Sequence, residues 1–204
     1  MKYARQARDW TESAYADAST YLAHRADLLV ALGPELVPGD EVLDLACGDG
    51  GLGKILVARG FRYRGVDSTP EMVEASRLRL GEGASVELGD LNEYVPPASV
   101  AATTVFRAIY YAADRRAFFR HVGAFTEKKL VFDLNPRQYR LDDVLADLRA
   151  AGFARIELRP FFMPQTVALP APAAALARAL EGAGPLARVA LRFRFTYLVA
   201  ASRL

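Results

Sequence analysis

The chain has 204 residues, of which 52% are hydrophobic and 25% are charged, and its formal net charge is +2. This length suits one domain with a sizeable core, and so small a net charge gives no indication of a polyelectrolyte partner such as nucleic acid. The single cysteine, Cys47, excludes an internal disulfide and a zinc site built from several cysteines.

The start of the chain is charged and lacks the apolar core of a signal peptide. No uncharged apolar window approaches the roughly 18 residues that a membrane span requires. We therefore expect a cytoplasmic protein that does not enter a membrane.

Residues 2–32 carry apolar and aromatic side chains at helical spacing, which predicts a helix or a helix pair that ends at Gly33 and Pro34. An apolar strand over residues 41–46 follows. It leads through a glycine-rich turn into a helix that ends near Arg59.

Strands and helices alternate along the rest of the chain. Further strands are predicted over residues 61–67, 84–88, 100–106, 129–134, 153–158 and 189–200. Helices are predicted over residues 70–80, 114–122, 141–151 and 173–180. This alternation predicts a parallel sheet with helices on both faces, and ligands bind such sheets at the carboxyl ends of the strands.

The glycine-rich turn contains Gly48, Gly50 and Gly53, a spacing that matches the dinucleotide-binding fingerprint. That fingerprint holds a pyrophosphate, and an acidic residue four positions before its first glycine contributes nothing to such binding. Asp44 occupies that position inside an apolar strand, where a carboxylate without a partner is strongly unfavourable. A ligand with an ammonium group would supply the partner.

The pattern Asp44-x-Ala46-x-Gly48-x-Gly50 resembles the first motif of the class I S-adenosylmethionine-dependent methyltransferases. Acidic residues at the ends of the second and third strands, Asp67 and Asp90, extend the resemblance. It implies the Rossmann-like α/β fold, a doubly wound, mostly parallel sheet of seven strands with helices on both faces and an antiparallel last strand. A single domain over residues 1–204 is expected, with a helical cap at 1–33 and an irregular or helical insertion at 161–186.

The resemblance also implies roles for individual residues. The glycine loop and its acid would hold the methionine part of the cofactor, the second acid the ribose hydroxyls, and the third acid the adenine. The predicted cofactor-binding residues are Tyr15, Asp44, Ala46, Cys47, Gly48, Gly50, Asp67, Ser68, Met72, Asp90, Leu91 and Arg107. The predicted cofactor is S-adenosyl-L-methionine, with S-adenosyl-L-homocysteine as its product, and no metal site is predicted.

The catalytic candidates are Tyr110, Tyr111 and His24. The two tyrosines follow the fourth strand, where the family often has a Leu-His-His-like run. A tyrosine there could bind or stack on the acceptor or simply fill the pocket wall, and with a pKa near 10 it is a poor general base. His24 lies on the N-terminal segment that folds over the cofactor in many relatives, and its alternative is a structural role.

These residues predict methyl transfer to an oxygen, nitrogen or carbon atom of a small-molecule acceptor. We expect no nucleic-acid partner and no membrane partner, and the sequence is compatible with a homodimer. Two alternatives stay open at this point: an NAD(P)-dependent Rossmann reductase, and a non-catalytic regulator that binds S-adenosylmethionine.

Overall fold

A computed structural model describes residue 7, residues 9–184, residue 187 and residues 196–203 of the chain. The helices in this part of the chain are α1 (Trp10–Ala14), α2 (Ala18–Ala31), α3 (Gly51–Ala58), α4 (Pro70–Leu80), α5 (Arg115–Gly123), α6 (Leu141–Ala150) and α7 (Ala171–Glu181). The strands are β1 (Glu41–Leu45), β2 (Arg62–Asp67), β3 (Ala84–Leu88), β4 (Val100–Val105), β5 (Thr126–Leu134), β6 (Arg155–Phe161) and β7 (Thr196–Ser202). Short 3-10 turns lie at Gly81–Gly83 and Ile109–Tyr111.

The strands form one sheet in the order β3-β2-β1-β4-β5-β7-β6. The pairs among β1 to β5 are parallel, whereas β7 runs antiparallel to both β5 and β6. The predicted doubly wound, mostly parallel seven-stranded sheet with an antiparallel last strand is therefore confirmed. Strand order reverses direction between β1 and β4, and the crevice outside the carboxyl ends of these strands is where such sheets bind ligands.

Each face of the sheet carries its own apolar core, as the alternation of side chains along a strand requires. Val42 of β1 faces a core shared with α2, α3 and α7. Leu43, the next residue, faces the other core, which α5 and α6 cover. By the same alternation Asp44 lies on the face of Val42, beneath α2, so its carboxylate enters the core between the sheet and the N-terminal helices.

The N-terminal segment forms two helices, α1 and α2, while residues 1–6 and 8 lie outside the described part of the chain. Asp17 caps the start of α2 by accepting a hydrogen bond from the Thr20 amide at 3.0 Å. At its other end the buried Lys129 ammonium donates to the carbonyl oxygens of Val30, at 3.1 Å, and Leu32. These contacts fix α2 along the sheet. The division into one domain with a cap and an insertion stays a prediction.

The ends of β6 differ from the prediction, which placed this strand over residues 153–158. The strand continues to Phe161, with Pro160 paired to Tyr197 of β7. Because β6 is the edge strand, the missing N–H of proline does not break a ladder on the outer side.

The predicted last strand, 189–200, is described only from Thr196, and its earlier residues lie outside the described part. None of the described helices has the length and apolar composition of a membrane span.

Gly53 lies in α3 where the helix packs against the Tyr63 ring of β2. A Cβ at this position would lie 2.5 Å from that ring. We expect Gly53→Ala to lower the free energy of unfolding by about 1–3 kcal/mol, because this overpacking outweighs the helix preference of alanine, about 1 kcal/mol. Urea unfolding measures the change. Gly182→Ala is the matched control, since its Cβ would meet nothing nearer than 3.5 Å. Equal stability of the two variants would contradict the prediction.

Candidate active site

A cleft of about 830 Å³, counting the space at its open mouth, lies outside the carboxyl ends of β1, β2 and β4. Helices α1 and α2, with Tyr15 between them, form one wall of the cleft. The glycine loop, the start of α4 and the segment after β4 form the rest. Its lining residues are Trp10, Thr11, Tyr15, Leu22, Arg25, Asp44, Ala46, Cys47, Gly48, Asp49, Gly51, Leu52, Asp67, Thr69, Met72, Phe106, Arg107, Ala108, Tyr110 and Tyr111. The structure thus brings Tyr15, Asp44, Asp67, Arg107 and Tyr110, predicted from separate segments, to one cavity.

Asp44 lies at the bottom of this cleft with 3% of its surface exposed. Tyr63 donates a hydrogen bond to its Oδ2 at 2.8 Å, and Thr104 donates to its Oδ1 at 2.7 Å. Burial raises the pKa of Asp44 to about 6, although these hydrogen bonds and the nearby Arg25 oppose the rise. The carboxylate is therefore held in place by two hydroxyls, and no cation among the described residues bonds to it directly.

Three residues of the glycine loop have positive φ angles. Ala46, Gly48 and Gly50 have φ values of 61°, 59° and 79°, a region that L residues other than glycine adopt at a cost of roughly 1–2 kcal/mol. A Cβ on Gly48 would lie 3.3 Å from the Trp10 ring. Gly50 does not line the cleft, because it faces α4, where a Cβ would lie 2.5 Å from the Ser76 hydroxyl. Gly50 thus contributes a left-handed turn before α3 rather than a direct cofactor contact.

Asp67 ends β2 and ties the glycine loop to the start of α4. Its Oδ2 accepts a hydrogen bond from the Gly48 amide at 2.9 Å, and its Oδ1 accepts one from the Thr69 amide at 2.9 Å. Met72, in the first turn of α4, is buried against the same cleft. Each Asp67 oxygen retains a lone pair for a further donor, as a pair of ribose hydroxyls would require.

A second, smaller cavity adjoins the first and shares Ala46 and Tyr111 with it. It is lined by Ser68, Asp90 and Leu91, the residues predicted to surround the adenosine. Asp90 Oδ1 accepts hydrogen bonds from the Asn92 backbone amide at 2.7 Å and from its side chain at 2.8 Å. The two cavities together follow the carboxyl ends of the strands from β4 through β1 and β2 to β3.

Asp49 of the glycine loop accepts hydrogen bonds that hold α1 against the loop. It is 1% exposed and accepts hydrogen bonds from the Thr11 amide at 2.8 Å, the Thr11 hydroxyl at 2.5 Å and the Arg79 guanidinium at 2.8 Å. These contacts place Trp10 against Gly48 at the mouth of the cleft. The N-terminal helix therefore lies over the loop that the sequence predicts to hold the cofactor.

Two arginines enter the cleft near the end of β5, and Asp133 connects them. Arg25 Nη2 donates to Asp133 Oδ2 at 3.0 Å and to the Tyr21 hydroxyl at 3.0 Å. The backbone amide of Arg107, whose φ is 56°, donates to Asp133 Oδ1 at 2.6 Å. Burial raises the pKa of the Tyr21 hydroxyl to about 12, so this hydroxyl is neutral at pH 7. The anion that accepts hydrogen bonds from both arginine residues is therefore Asp133.

The three catalytic candidates lie in different parts of the structure. Tyr110 and Tyr111 line the cleft, about half of each side chain is exposed, and their ring centroids lie 4.4 Å apart. His24 is not brought to the cleft. It is buried beside Glu181 of α7, with Nε2 and Oε2 2.5 Å apart, and it stacks on Phe161. A histidine held in this way between α2 and α7 is a packing residue, so we do not assign it proton transfer.

Three charged residues of the site were not predicted: Arg25, Asp49 and Asp133. Asp133 carries the same signal as Asp44, an acidic residue inside an apolar strand, and could have been found by that criterion. Arg25 lies within the apolar stripe of the N-terminal helical pattern. The pairing of Asp49 with Thr11 joins distant segments and has no local signal.

Comparison with known proteins identifies a methyltransferase domain. Residues 42–129 match the family described as Methyltransferase domain, a segment that contains the glycine loop, the acids Asp44 of β1 and Asp67 of β2, and Asp90 after β3. The match covers less than half of the chain. An uncharacterized methyltransferase of Schizosaccharomyces pombe is 45% identical over 62 residues, 30% of this chain and 20% of that relative. This methyltransferase therefore matches only about a fifth of the length of that curated relative.

Solved structures share the fold of this methyltransferase over nearly its whole length. A chain of the Haloferax volcanii complex between the Trm112 methyltransferase activator and a methyltransferase aligns with TM-score 0.66 and 21% identity, over 99% of this chain and 97% of that one. A TehB-like methyltransferase from Corynebacterium glutamicum gives 0.66 and 14%, over 98% and 96%. Geranyl diphosphate C-methyltransferase from Streptomyces coelicolor, solved with S-adenosyl-L-homocysteine, gives 0.66 and 16%, over 96% and 84%. At these identities the likeness shows the fold alone.

Replacement of the buried acid tests its charge state. The pKa of Asp44 is about 6 in the folded chain and 3.8 as an ordinary value, so the folded state binds this proton more tightly. Its contribution to stability is complete below the ordinary value and is lost as the pH rises towards 6. We expect Asp44→Asn to raise the free energy of unfolding at neutral pH by about 1–3 kcal/mol, and the gain to vanish near pH 4. Urea unfolding at both pH values measures it.

The exposed Asp142 of α6 provides the control, because Asp142→Asn removes a carboxylate that is already solvated. A loss of stability in Asp44→Asn at neutral pH would show that the carboxylate is favourably ionised in the folded chain, contrary to the prediction.

Proposed function

We propose that this protein transfers the methyl group of S-adenosyl-L-methionine to a small-molecule acceptor. The observation that carries the proposal is the position of Asp44 and Asp67 on either side of the glycine loop, within one cleft. A zwitterionic amino-acid end needs an acid and amide donors close together, and a ribose needs a carboxylate with free lone pairs. Asp44 and the loop meet the first need, and Asp67 meets the second.

The cofactor fits the order of residues along the cleft. Its ammonium group would pair with Asp44, which has two hydroxyl donors but no directly bonded cation in the part of the chain that the structure describes. The adenosine would follow the cleft past Asp67 and Met72 to the smaller cavity at Ser68, Asp90 and Leu91. The sulfonium methyl group would then be directed away from the adenosine, towards the segment after β4.

The reaction is an in-line displacement. A lone pair of the acceptor forms a bond to the methyl carbon, the carbon–sulfur bond breaks, and its electron pair returns to sulfur, so the sulfonium becomes a neutral thioether. A proton on the acceptor leaves to water. The protein contributes alignment and an apolar wall that favours loss of the positive charge. Tyr110 and Tyr111 lie where they can orient the acceptor.

The acid before the glycine loop weighs against the reductase alternative. A dinucleotide pyrophosphate placed on this loop would lie close to the Asp44 carboxylate, and like charges at close range repel, whereas Asp67 would suit the ribose of either cofactor. A turnover measurement distinguishes an enzyme from the non-catalytic alternative. Formation of S-adenosyl-L-homocysteine with an extract of small metabolites as acceptor would support an enzyme, whereas binding without any turnover would support a regulator.

A small acceptor is supported by the related structures, among them enzymes solved with geranyl diphosphate and with phosphomonomethylethanolamine. The Haloferax volcanii structure contains an activator protein, so a protein partner is a second question for this chain. The absence of a nucleic-acid partner, the cytoplasmic location and the homodimer stay predictions, and gel filtration with light scattering tests the last.

Cofactor affinity should depend on pH through Asp44. Only the ionised carboxylate attracts an ammonium group, and the pKa of Asp44 is about 6. We expect the affinity for S-adenosyl-L-homocysteine, measured by isothermal titration calorimetry, to increase roughly tenfold from pH 5 to pH 7. In Asp44→Asn the affinity should be lower and independent of pH. An equally steep pH dependence in this variant would exclude Asp44 as the ammonium partner.

Asp67 provides the direct test of the cofactor assignment. Asp67→Asn keeps the size of the side chain but removes the charge and one acceptor oxygen, so we expect the affinity for S-adenosyl-L-homocysteine to fall at least about tenfold. The matched control Asp142→Asn lies on the exposed face of α6 and should bind as the wild type does. Wild-type affinity in Asp67→Asn would contradict the placement of the ribose, and no binding by the wild type would contradict the proposed function.

A further inference from the structure

Two arginine side chains in the cleft have nitrogen atoms without a hydrogen-bond partner. Arg25 Nε and Arg107 Nη1 are inaccessible to solvent, and neither bonds to any atom in the described part of the chain. Both residues line the cleft. Leaving a charged donor buried and unpaired is unfavourable by about 1–3 kcal/mol or more, so such donors indicate a ligand that accepts from them.

The charges at this end of the cleft sum to a net positive value. Arg25 and Arg107 each carry one positive charge, and Asp133 between them carries one negative charge. Asp44 lies close by, but in the proposed function its charge is cancelled by S-adenosylmethionine, whose ammonium, carboxylate and sulfonium groups together carry one positive charge. One positive charge therefore remains, at the place where the acceptor must approach the sulfonium group.

Aromatic rings hold both guanidinium groups in fixed orientations. The Arg25 guanidinium carbon lies 4.4 Å from the centre of the Phe106 ring. The Arg107 guanidinium carbon lies 5.4 Å from the ring of Trp10 and 5.5 Å from that of Tyr15. Stacking leaves the donor edges of a guanidinium free for a planar oxyanion, and it reduces the entropy lost when that anion binds.

Arg107 is also held in a strained backbone conformation. Its φ of 56° lies in the left-handed region, which a residue with a long side chain adopts at a cost of roughly 1–2 kcal/mol. The hydrogen bond from its amide to Asp133 maintains this conformation. Strain of this kind persists where it directs a functional side chain, and here it turns the Arg107 side chain into the cleft.

We propose that the acceptor of this methyltransferase carries an oxyanion, a carboxylate or a phosphate, which Arg107 and Arg25 bind beside the methyl group. The rest of the acceptor is apolar and flat, since Trp10, Phe106, Tyr110 and Tyr111 provide the adjacent wall. This inference rests on the proposed function, because Asp44 and the glycine loop are taken to hold the methionine part of the cofactor. The competing source of the anion is the carboxylate of that cofactor.

The test uses benzoate and phenyl phosphate as anionic probes and benzamide as the neutral probe of the same shape. Each is titrated into the protein saturated with S-adenosyl-L-homocysteine, and binding is followed by ligand-observed NMR. We expect the anions to bind at least about tenfold more tightly than benzamide, since hydrogen bonds to charged partners are the stronger ones. Equal binding of benzoate, phenyl phosphate and benzamide, or no binding of either anion, would overturn the inference.

Variants of Arg107 separate the two sources of the anion. Arg107→Gln should weaken binding of the anionic probe at least about tenfold. The sequence predicts that Arg107 binds the cofactor, whereas this inference places it beside the acceptor, so the affinity for S-adenosyl-L-homocysteine should stay within about twofold, which also shows that the variant is folded. Arg107→Lys should retain part of the anion affinity, because it keeps the charge but not the planar fork. Arg116→Gln removes an exposed charge on α5 and should change neither quantity.

The outcomes distinguish this inference from the proposed function. If Arg107→Gln weakens S-adenosyl-L-homocysteine as strongly as the anionic probe, the arginines bind the cofactor carboxylate and the inference is overturned while the proposed function stands. If the wild type does not bind S-adenosyl-L-homocysteine at all, the proposed function itself fails and this inference fails with it.

Discussion

The carboxylates of Asp44 and Asp133, buried beneath α2, are the constraint on which the rest of this structure depends. Each projects from an apolar strand and has no more than 9% of its surface exposed, and an unpaired charge is strongly unfavourable in such a position. Tyr63 and Thr104 donate to the first carboxylate, and Arg25 of α2 pairs with the second. Because Arg25 meets Asp133 from α2, the need to neutralise that carboxylate also holds the N-terminal helices over the carboxyl ends of the strands.

The position of α2 in turn builds the cleft. With α2 capped at both ends and paired to the sheet, α1 lies over the glycine loop, where Asp49 binds Thr11 and the absent Cβ of Gly48 admits the Trp10 ring. The loop is therefore packed on one side by α4 and on the other by the N-terminal cap. A ligand that enters between cap and loop meets donors, acids and aromatic rings already in place, so little ordering accompanies its binding.

The chemistry proposed for this cleft makes modest demands on the protein. A sulfonium donor needs an aligned nucleophile and surroundings that tolerate loss of its charge, and the aromatic wall near Tyr110 and Tyr111 provides them. Neither histidine lines the cleft, so the described residues provide no imidazole base near the proposed position of the methyl group. An acceptor that is already anionic needs no such base, and Arg25 and Arg107 would both attract and orient it.

The sequence by itself determined the order of strands and helices along the chain and indicated a methyltransferase domain. Apolar periodicity is a local property, and an acid at the end of each of the first three strands is placed at one edge of the sheet by the parallel topology alone. Only the tertiary structure decided which side chains share the cleft. It turned Gly50 towards α4, paired His24 with Glu181 and brought Arg25 to Asp133, because these contacts join residues far apart in the chain and depend on which face of each packed element is buried.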